Sequence, residues 1–273
     1  MAYKKYTAGN NLNKTLDIVK DFNKDNVACS ISYLPVRKDD AADIHKEILE
    51  YYKLIDKVHS QKLNADVTLK LHQFGIYANP HLTQEAVTKI ARYAHKNNVF
   101  VWVDMEMPET VHDTIAVFKA VHKKYKNTGI ALQAYLRRTE GDMKDLLKNR
   151  VPIRLVKGFY VAKDFDTWKE VTNNYEHLME YLLMHSDKPC IATHDLKLRT
   201  KAKEIIKKHK IKNAEIQMFN GARNELAKEE ALEGYSVRIY IPYGHVFKFV
   251  VDGWRTFDML RHIQRILGFK TIR

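Results

Sequence analysis

Cysteine is scarce in this chain, with 2 among 273 residues. Both, Cys29 and Cys190, sit in apolar strand-like runs, so no disulfide framework and no cysteine-based metal site is expected, and a reduced, cytoplasmic protein is. No glycine-rich phosphate loop of the GxGxxG or GxxxxGKS kind occurs, which removes Rossmann and P-loop nucleotide sites. His-x-x-x-His spacing is absent too. His72, Asp104, Glu106 and His194 therefore make only a weak metal set, and no metal is expected. There is no signal-peptide pattern and no apolar run of 18 residues, so a membrane-spanning segment is not expected. Low-complexity stretches and long linkers are missing. One domain over residues 1–273 is expected, with a helical lead-in over about 1–26.

Acidic residues are in deficit. There are 33 Asp+Glu against 46 Lys+Arg, a formal net charge of +13. That excess suits anionic partners such as nucleotide phosphates, nucleic acid or an acidic membrane surface. Most of it is lysine scattered along helical stretches, Lys119 to Lys126 and Lys207 to Lys212, which reads as a solvated face. No motif interleaving aromatic and basic residues is visible, so no nucleic-acid partner is expected.

What is present is a globular composition, 45% hydrophobic and 29% charged, in an ordered alternation. Leu12, Leu16, Val19 and Phe22 recur at helical spacing and predict an amphipathic helix packed across an end of the fold. Strands are predicted at Val27–Leu34, Ala65–Leu71, Val99–Asp104, Gly129–Leu136, Ile153–Val156, Pro189–Ala192, Ala214–Met218 and Ser236–Ile241. Helices fall between them. One runs over Asp40–Ser60 with Ile44, Ile48, Leu49, Tyr52 and Ile55 as its apolar stripe; another is capped by Thr83 and runs to about Lys96. A last helix is predicted over Val246–Leu267. Eight strands alternating with helices predict an α/β fold, a parallel (βα)8 TIM-type barrel.

In such a barrel, ligands sit beyond the carboxyl ends of the strands. The stretch VPIRLVKGFY (Val151–Tyr160) places Arg154 in a short buried strand, with Lys157 and Gly158 where that strand ends. The glycine lets backbone approach a ligand, and the lysine suits phosphate. The other strand ends supply Lys70 and His72, Asp104 and Glu106, Gln133, Tyr135 and Arg137, Thr193, His194 and Asp195, Gln217, then Arg238, Tyr240 and Tyr243. Inward charges are costly to bury unless paired or liganded, so this gathering predicts a polar ligand at one rim.

Four motifs, VPIRLVKGFY, IATHD (Ile191–Asp195), EIQMFNG (Glu215–Gly221) and VRIYIPYG (Val237–Gly244), together resemble those of the proline dehydrogenase family. VTLKLHQFG (Val67–Gly75), WVDME (Trp102–Glu106) and LQAYLRRT (Leu132–Thr139) extend the likeness over about residues 27–244. The resemblance implies a flavin enzyme, FAD with FMN left open, that oxidises L-proline to 1-pyrroline-5-carboxylate in proline catabolism by hydride transfer to flavin N5. It implies Arg154 beside that nitrogen as a catalytic group, where positive charge stabilises the reduced ring. Lys157, Gly158 and Phe159 match the segment holding the flavin and its phosphates. Gln133 and Met105 match contacts to the ring, and Thr193, His194 and Gln217 the nucleotide half. On the substrate side, Lys70 matches a carboxylate contact, Asp104 the catalytic aspartate that orients that lysine, and Tyr240 the tyrosine closing over the substrate. A quinone or other electron acceptor, and a peripheral contact at the inner face of the membrane, are likewise implied.

One departure stands out. The family's last helix carries an adjacent Arg-Arg pair for the substrate carboxylate, and by count those positions here are Gly253 and Trp254. Arg255 is the nearest arginine and is expected to inherit the contact. One guanidinium replaces a two-fork clamp poorly. Proline oxidation with Arg255 and Lys70, oxidation of another secondary amine or amino acid, and flavin binding without proline oxidation all remain open readings. So does a Schiff-base lyase on the same barrel through Lys70 or Lys157.

Overall fold

The computed structural model describes residues 7–35, 41–158 and 164–244. Its first helix, α1 (Leu12–Lys24), is capped by the Asn11 side chain, which accepts from the Lys14 N–H, and it buries Thr15, Leu16, Val19 and Phe22. The strands and helices that follow are β1 (Ala28–Leu34), α2 (Ala41–Ser60), β2 (Ala65–Leu69), α3 (Pro80–Lys96), β3 (Val101–Val103), α4 (Val111–Lys124), β4 (Thr128–Gln133) and α5 (Thr139–Leu147). The second half continues with β5 (Ile153–Val156), α6 (Trp168–His185), β6 (Pro189–Ala192), α7 (Leu196–His209), β7 (Glu215–Phe219), α8 (Asn224–Leu232) and β8 (Ser236–Gly244). All eight strands pair in parallel and in order, and β1 against β8 closes the barrel. The predicted architecture is the one found.

Closure at β1–β8 depends on a glycine. Gly244 has φ +105°, and a Cβ there would lie 2.4 Å from the Leu34 carbonyl oxygen. Any other residue would push the two strand ends apart at the mouth.

Several boundaries differ from the sequence expectation. The Thr83 cap does not hold: α3 begins at Pro80, with Asn79 as its cap accepting from His81 and Leu82 N–H groups. Thr83 is inside the helix, where its buried hydroxyl donates to the Phe74 carbonyl at 2.8 Å. β2 ends at Leu69, because Leu71–Phe74 turn into a 3₁₀ segment closed by Gly75 in the left-handed region. In α2 the stripe is rotated: Tyr51 and Leu54 are fully buried, whereas Leu49 is 42% exposed. Nor does α1 cross an end of the barrel. The segment leading into it is tied to the carboxyl end of β8 by Ala8 N–H to Pro242 O and Gly244 N–H to Gly9 O. At its other end Asn23 donates to the Val27 and Asn64 carbonyls, beside the amino ends of β1 and β2. It therefore lies along the wall. The predicted last helix lies outside the described residues.

Apolar side chains such as Val67, Val101, Ile130, Ile191 and Ile216 are fully buried in the strand walls. The barrel interior, by contrast, is polar. Arg154 on β5 reaches Ser30 on β1, and Arg238 on β8 reaches Asp66 on β2. Such cross-barrel contacts are open only to inward-facing residues. TIM-barrel interiors are ordinarily filled by branched aliphatic residues, so this lining of charge needs a chemical explanation. Among the described residues no helix is long and apolar enough to cross a membrane.

Candidate active site

The base of the interior holds Arg238, fully committed. Its Nε and Nη2 donate to Glu215 at 2.8 and 2.9 Å, and Nη1 donates to the Cys29 carbonyl at 2.8 Å and meets Asp66 Oδ2 at 3.0 Å. Arg238 was expected at the rim. It occupies the third position of β8, in register with Gln217, and so lies toward the opposite end. Gln217 is drawn into the same cluster, its Nε2 donating to Glu215 at 2.5 Å.

Above this cluster is Arg154, only 2% exposed. It is therefore inside the barrel, reaching inward from the buried strand β5. Nη2 donates to Ser30 Oγ at 2.9 Å, and Nη1 lies 3.4 Å from both Thr68 Oγ1 and Asp104 Oδ1. Trp102 and Tyr240 present ring faces at 4.5 and 5.6 Å from its guanidinium carbon, a placement that favours the cation. Its Nε is buried and has no partner among the described residues.

Asp104 links this arginine to the mouth. Its Oδ2 accepts from Lys70 Nζ at 2.7 Å and from Tyr240 Oη at 2.8 Å. Burial, and then the Asp104 charge, push the Tyr240 hydroxyl well above its ordinary range, so it stays protonated and donates. Lys70, Asp104, Tyr240 and Arg154, four of the predicted residues, thus form one connected group.

A second pair lies two residues further along each strand end. Glu106 accepts from the His72 backbone N–H at 3.0 Å, and its other oxygen is 2.5 Å from His72 Nδ1. Burial opposes ionisation of Glu106, but His72 and Lys70 outweigh it and hold the carboxyl down at about 2. A carboxyl depressed on folding adds stability that is complete above its unfolded value near 4.5 and is lost as pH falls toward 2. Melting temperatures of wild type and Glu106→Gln should therefore converge as pH falls through that window and separate above it. Curves that stay parallel would remove Glu106 as the source.

Glu106 also fixes a third predicted residue, since its carbonyl accepts from Gln133 Nε2 at 2.7 Å. Gln133 Oε1 is buried and unpartnered among the described residues. Met105, between the two acids, is buried.

The far side of the mouth belongs to β5 and β6. Lys157 Nζ donates to Asp195 Oδ2 and Thr172 Oγ1, each at 3.1 Å. Asp195 also caps α7 through the Lys197 and Leu198 N–H groups. Burial disfavours its charge, but Lys157 and those N–H groups prevail and lower its pKa. Gly158 has φ +119°, and a Cβ there would fall 1.4 Å from the Tyr135 ring. Thr193 Oγ1 accepts from the Asp195 N–H at 3.2 Å. His194 is neutral, because burial first, then Arg199 and Arg223, bring it down to about 4. Its Nε2 accepts from the Phe219 N–H at 3.3 Å, which leaves the proton on Nδ1. That Nδ1 is buried without a partner among the described residues.

Phe159 and Arg255 lie outside the described residues. Among those described, no group of three or more His, Cys, Asp or Glu could hold a metal. The sequence reading missed Ser30, Asp66, Thr68 and Glu215. One signal was available: Asp66 and Glu215 are single acids at the start of apolar strands, and Arg238 is a single base early in another.

These features define a (βα)8-barrel enzyme whose mouth is built for a polar organic ligand. Comparison with known proteins narrows the class. The proline dehydrogenase family model matches residues 15–251. "Proline dehydrogenase 2" of Bacillus subtilis (strain 168) is 31% identical over 266 residues, covering 96% of this chain and 86% of that protein. "Proline dehydrogenase" of Deinococcus radiodurans is 29% identical over 250 residues, covering 88% and 81%. The chain belongs to the proline dehydrogenase family and is an oxidoreductase of that type. Among solved structures, proline utilization A from Bdellovibrio bacteriovorus inactivated by N-propargylglycine superposes with a TM-score of 0.81 at 21% identity. The match covers 89% of this chain and 31% of that one, about a third of its length. At this identity the likeness concerns the fold.

A flavin is the cofactor this family implies, and the residues present fit one. Among the described residues the Gln133 acceptor and the Arg154 and His194 donors are buried yet unsatisfied, a state that is costly unless a ligand completes it. They have the mixed character that a flavin's edge and its nucleotide tail require.

Proposed function

We propose that the mouth holds FAD and that the protein oxidises L-proline to 1-pyrroline-5-carboxylate, passing the electrons on to a quinone or another acceptor. The observation that carries this is the placement of a buried, partly unsatisfied Arg154 next to the connected Lys70, Asp104 and Tyr240. When bound, the flavin supplies the hydride acceptor for the carbon beside the proline nitrogen.

The chain's own residues do the rest. Asp104 pairs with the Lys70 ammonium and aims it at the substrate carboxylate. Tyr240 donates to the same aspartate, which fixes its ring as a cover for the substrate and a barrier to water. Arg154 lies between two aromatic faces and stabilises negative charge that develops on the reduced cofactor. Gln133 offers its carbonyl oxygen to a ring N–H, and His194 donates from Nδ1 toward the nucleotide half. Lys157 and Gly158 serve the phosphates, with Lys157 sharing its charge between them and Asp195. Arg255 is assigned the second cationic contact to the substrate carboxylate.

A Schiff-base lyase needs an uncharged lysine amine, and Lys70 and Lys157 are both ion-paired. Purified protein separates the two. The flavin reading expects a yellow protein that releases FAD on denaturation and converts L-proline. A colourless protein trapped by borohydride with a keto substrate would overturn it.

A further inference from the structure

Beneath Arg154 the hydroxyl protons can be assigned one by one. Asp66 is 2% exposed. Its Oδ2 accepts from Trp102 Nε1 at 2.8 Å and meets Arg238 at 3.0 Å, and its Oδ1 accepts from Ser30 Oγ. Ser30 has one hydroxyl proton, and the carboxylate takes it. Both lone pairs of Ser30 Oγ are then acceptors: one receives Arg154 Nη2 at 2.9 Å, and the other faces Thr68 Oγ1 at 2.8 Å. Thr68 must donate into that contact, which turns its own lone pair toward Arg154 Nη1 at 3.4 Å. Each hydroxyl hydrogen in the chain of contacts has one allowed direction. Three of the five guanidinium N–H donors of Arg154 go to Ser30, Thr68 and Asp104, and its Nε has no partner among the described residues.

We propose that Ser30 and Thr68 form a directed hydroxyl relay, anchored on the Asp66 carboxylate, that positions Arg154 so that its guanidinium faces the cofactor in one fixed orientation. These are positioning residues, which act through Arg154. Had the layer beneath been aliphatic, as in an ordinary barrel, the guanidinium would have no acceptors there and would tilt toward Asp104 and Lys70, the carboxylate pocket. The relay therefore separates the two duties of the site, with cofactor charge assigned to Arg154 and substrate charge to Lys70. The inference rests on the flavin reading of the mouth.

Ser30→Ala and Thr68→Val each delete one member without adding bulk, and flavin-loaded protein is the material to compare. Both are expected to lower kcat on L-proline about tenfold while KM changes less than about twofold. The oxidised-to-reduced equilibrium of the bound flavin should shift about tenfold toward the oxidised form, which for a two-electron couple is about 30 mV more negative. Ser30→Thr, which keeps the hydroxyl, should restore both values. A purely structural role predicts lower melting temperatures with potential and kcat unchanged, and that result overturns the relay. Failure of both deletions to fold overturns it too, since it would assign the hydroxyls to stability. A wild-type protein that takes up no flavin sinks the cofactor reading instead. Flavin reduction by proline with an unshifted potential in the variants sinks the relay alone.

Discussion

Arg154→Met is expected to lower turnover on L-proline by about 10²–10³-fold, the loss typical when a preorganised charge stabiliser is removed from a water-poor site. Methionine keeps much of the volume of the stem and removes the charge. Because Arg154 is 2% exposed and bonded to Ser30, Thr68 and Asp104, the change also costs stability. Asp104 keeps Lys70 and Tyr240 as partners, so this cost is that of unpaired polar groups, about 1–3 kcal/mol. Kinetics at a temperature well below the variant's melting point, with melting recorded in parallel, separates the two effects. A variant that melts early yet turns over at the wild-type rate would place charge stabilisation elsewhere.

The second large effect concerns folding. Arg238→Met should destabilise the barrel by about 3–5 kcal/mol, because it strands two buried carboxylates at once. Glu215 loses both of its guanidinium bonds, and Asp66 loses its ion pair with Arg238. In the wild type, burial pushes against the charge on each acid, and Arg238 is the leading opposing influence on both. For a chain of this size the loss corresponds to a melting temperature lower by about 6–20 °C. The deficit should shrink in mild acid, where the stranded acids take up protons, and adding Glu215→Gln should recover part of it at neutral pH. A melting temperature within about 2 °C of wild type would mean that the base cluster contributes little net stability, as fully buried ion pairs sometimes do.

Much of this fold could be read from periodicity. β5 and β6 were placed to the residue, since IRLV and PCIA are short apolar runs bounded by turn residues on both sides. Elsewhere apolar residues past a strand's end misled. Leu71 continues the apolar pattern of β2 but packs from a 3₁₀ turn, and Ile44, Ile48, Tyr51 and Ile55 define a face of α2 offset from the one Leu49 and Tyr52 suggested. Thr83 carries a capping residue's chemistry, yet Asn79 followed by Pro80 takes the cap, and Thr83 spends its hydroxyl on Phe74.

The site was legible unevenly, for a physical reason. Lys70, Asp104 and Tyr240 sit at strand ends, where barrel topology alone makes a charged residue suspect. Arg238 looked equivalent in sequence but faces inward near the amino end of β8, and depth within a barrel depends on register, which no single strand carries. Ser30 and Thr68 are small hydroxyl residues in buried strands, indistinguishable from packing positions until Arg154 is seen to cross the barrel to them.

The polar mouth of this barrel is proposed to be a redox site for proline. Anaerobic mixing of the flavin-loaded protein with L-proline tests it in one step, read as the loss of the flavin's visible absorption. The structure predicts rapid bleaching that saturates with proline concentration and is slowed in Arg154→Met. A flavin spectrum untouched by millimolar L-proline, in protein shown to be folded and loaded, would contradict it.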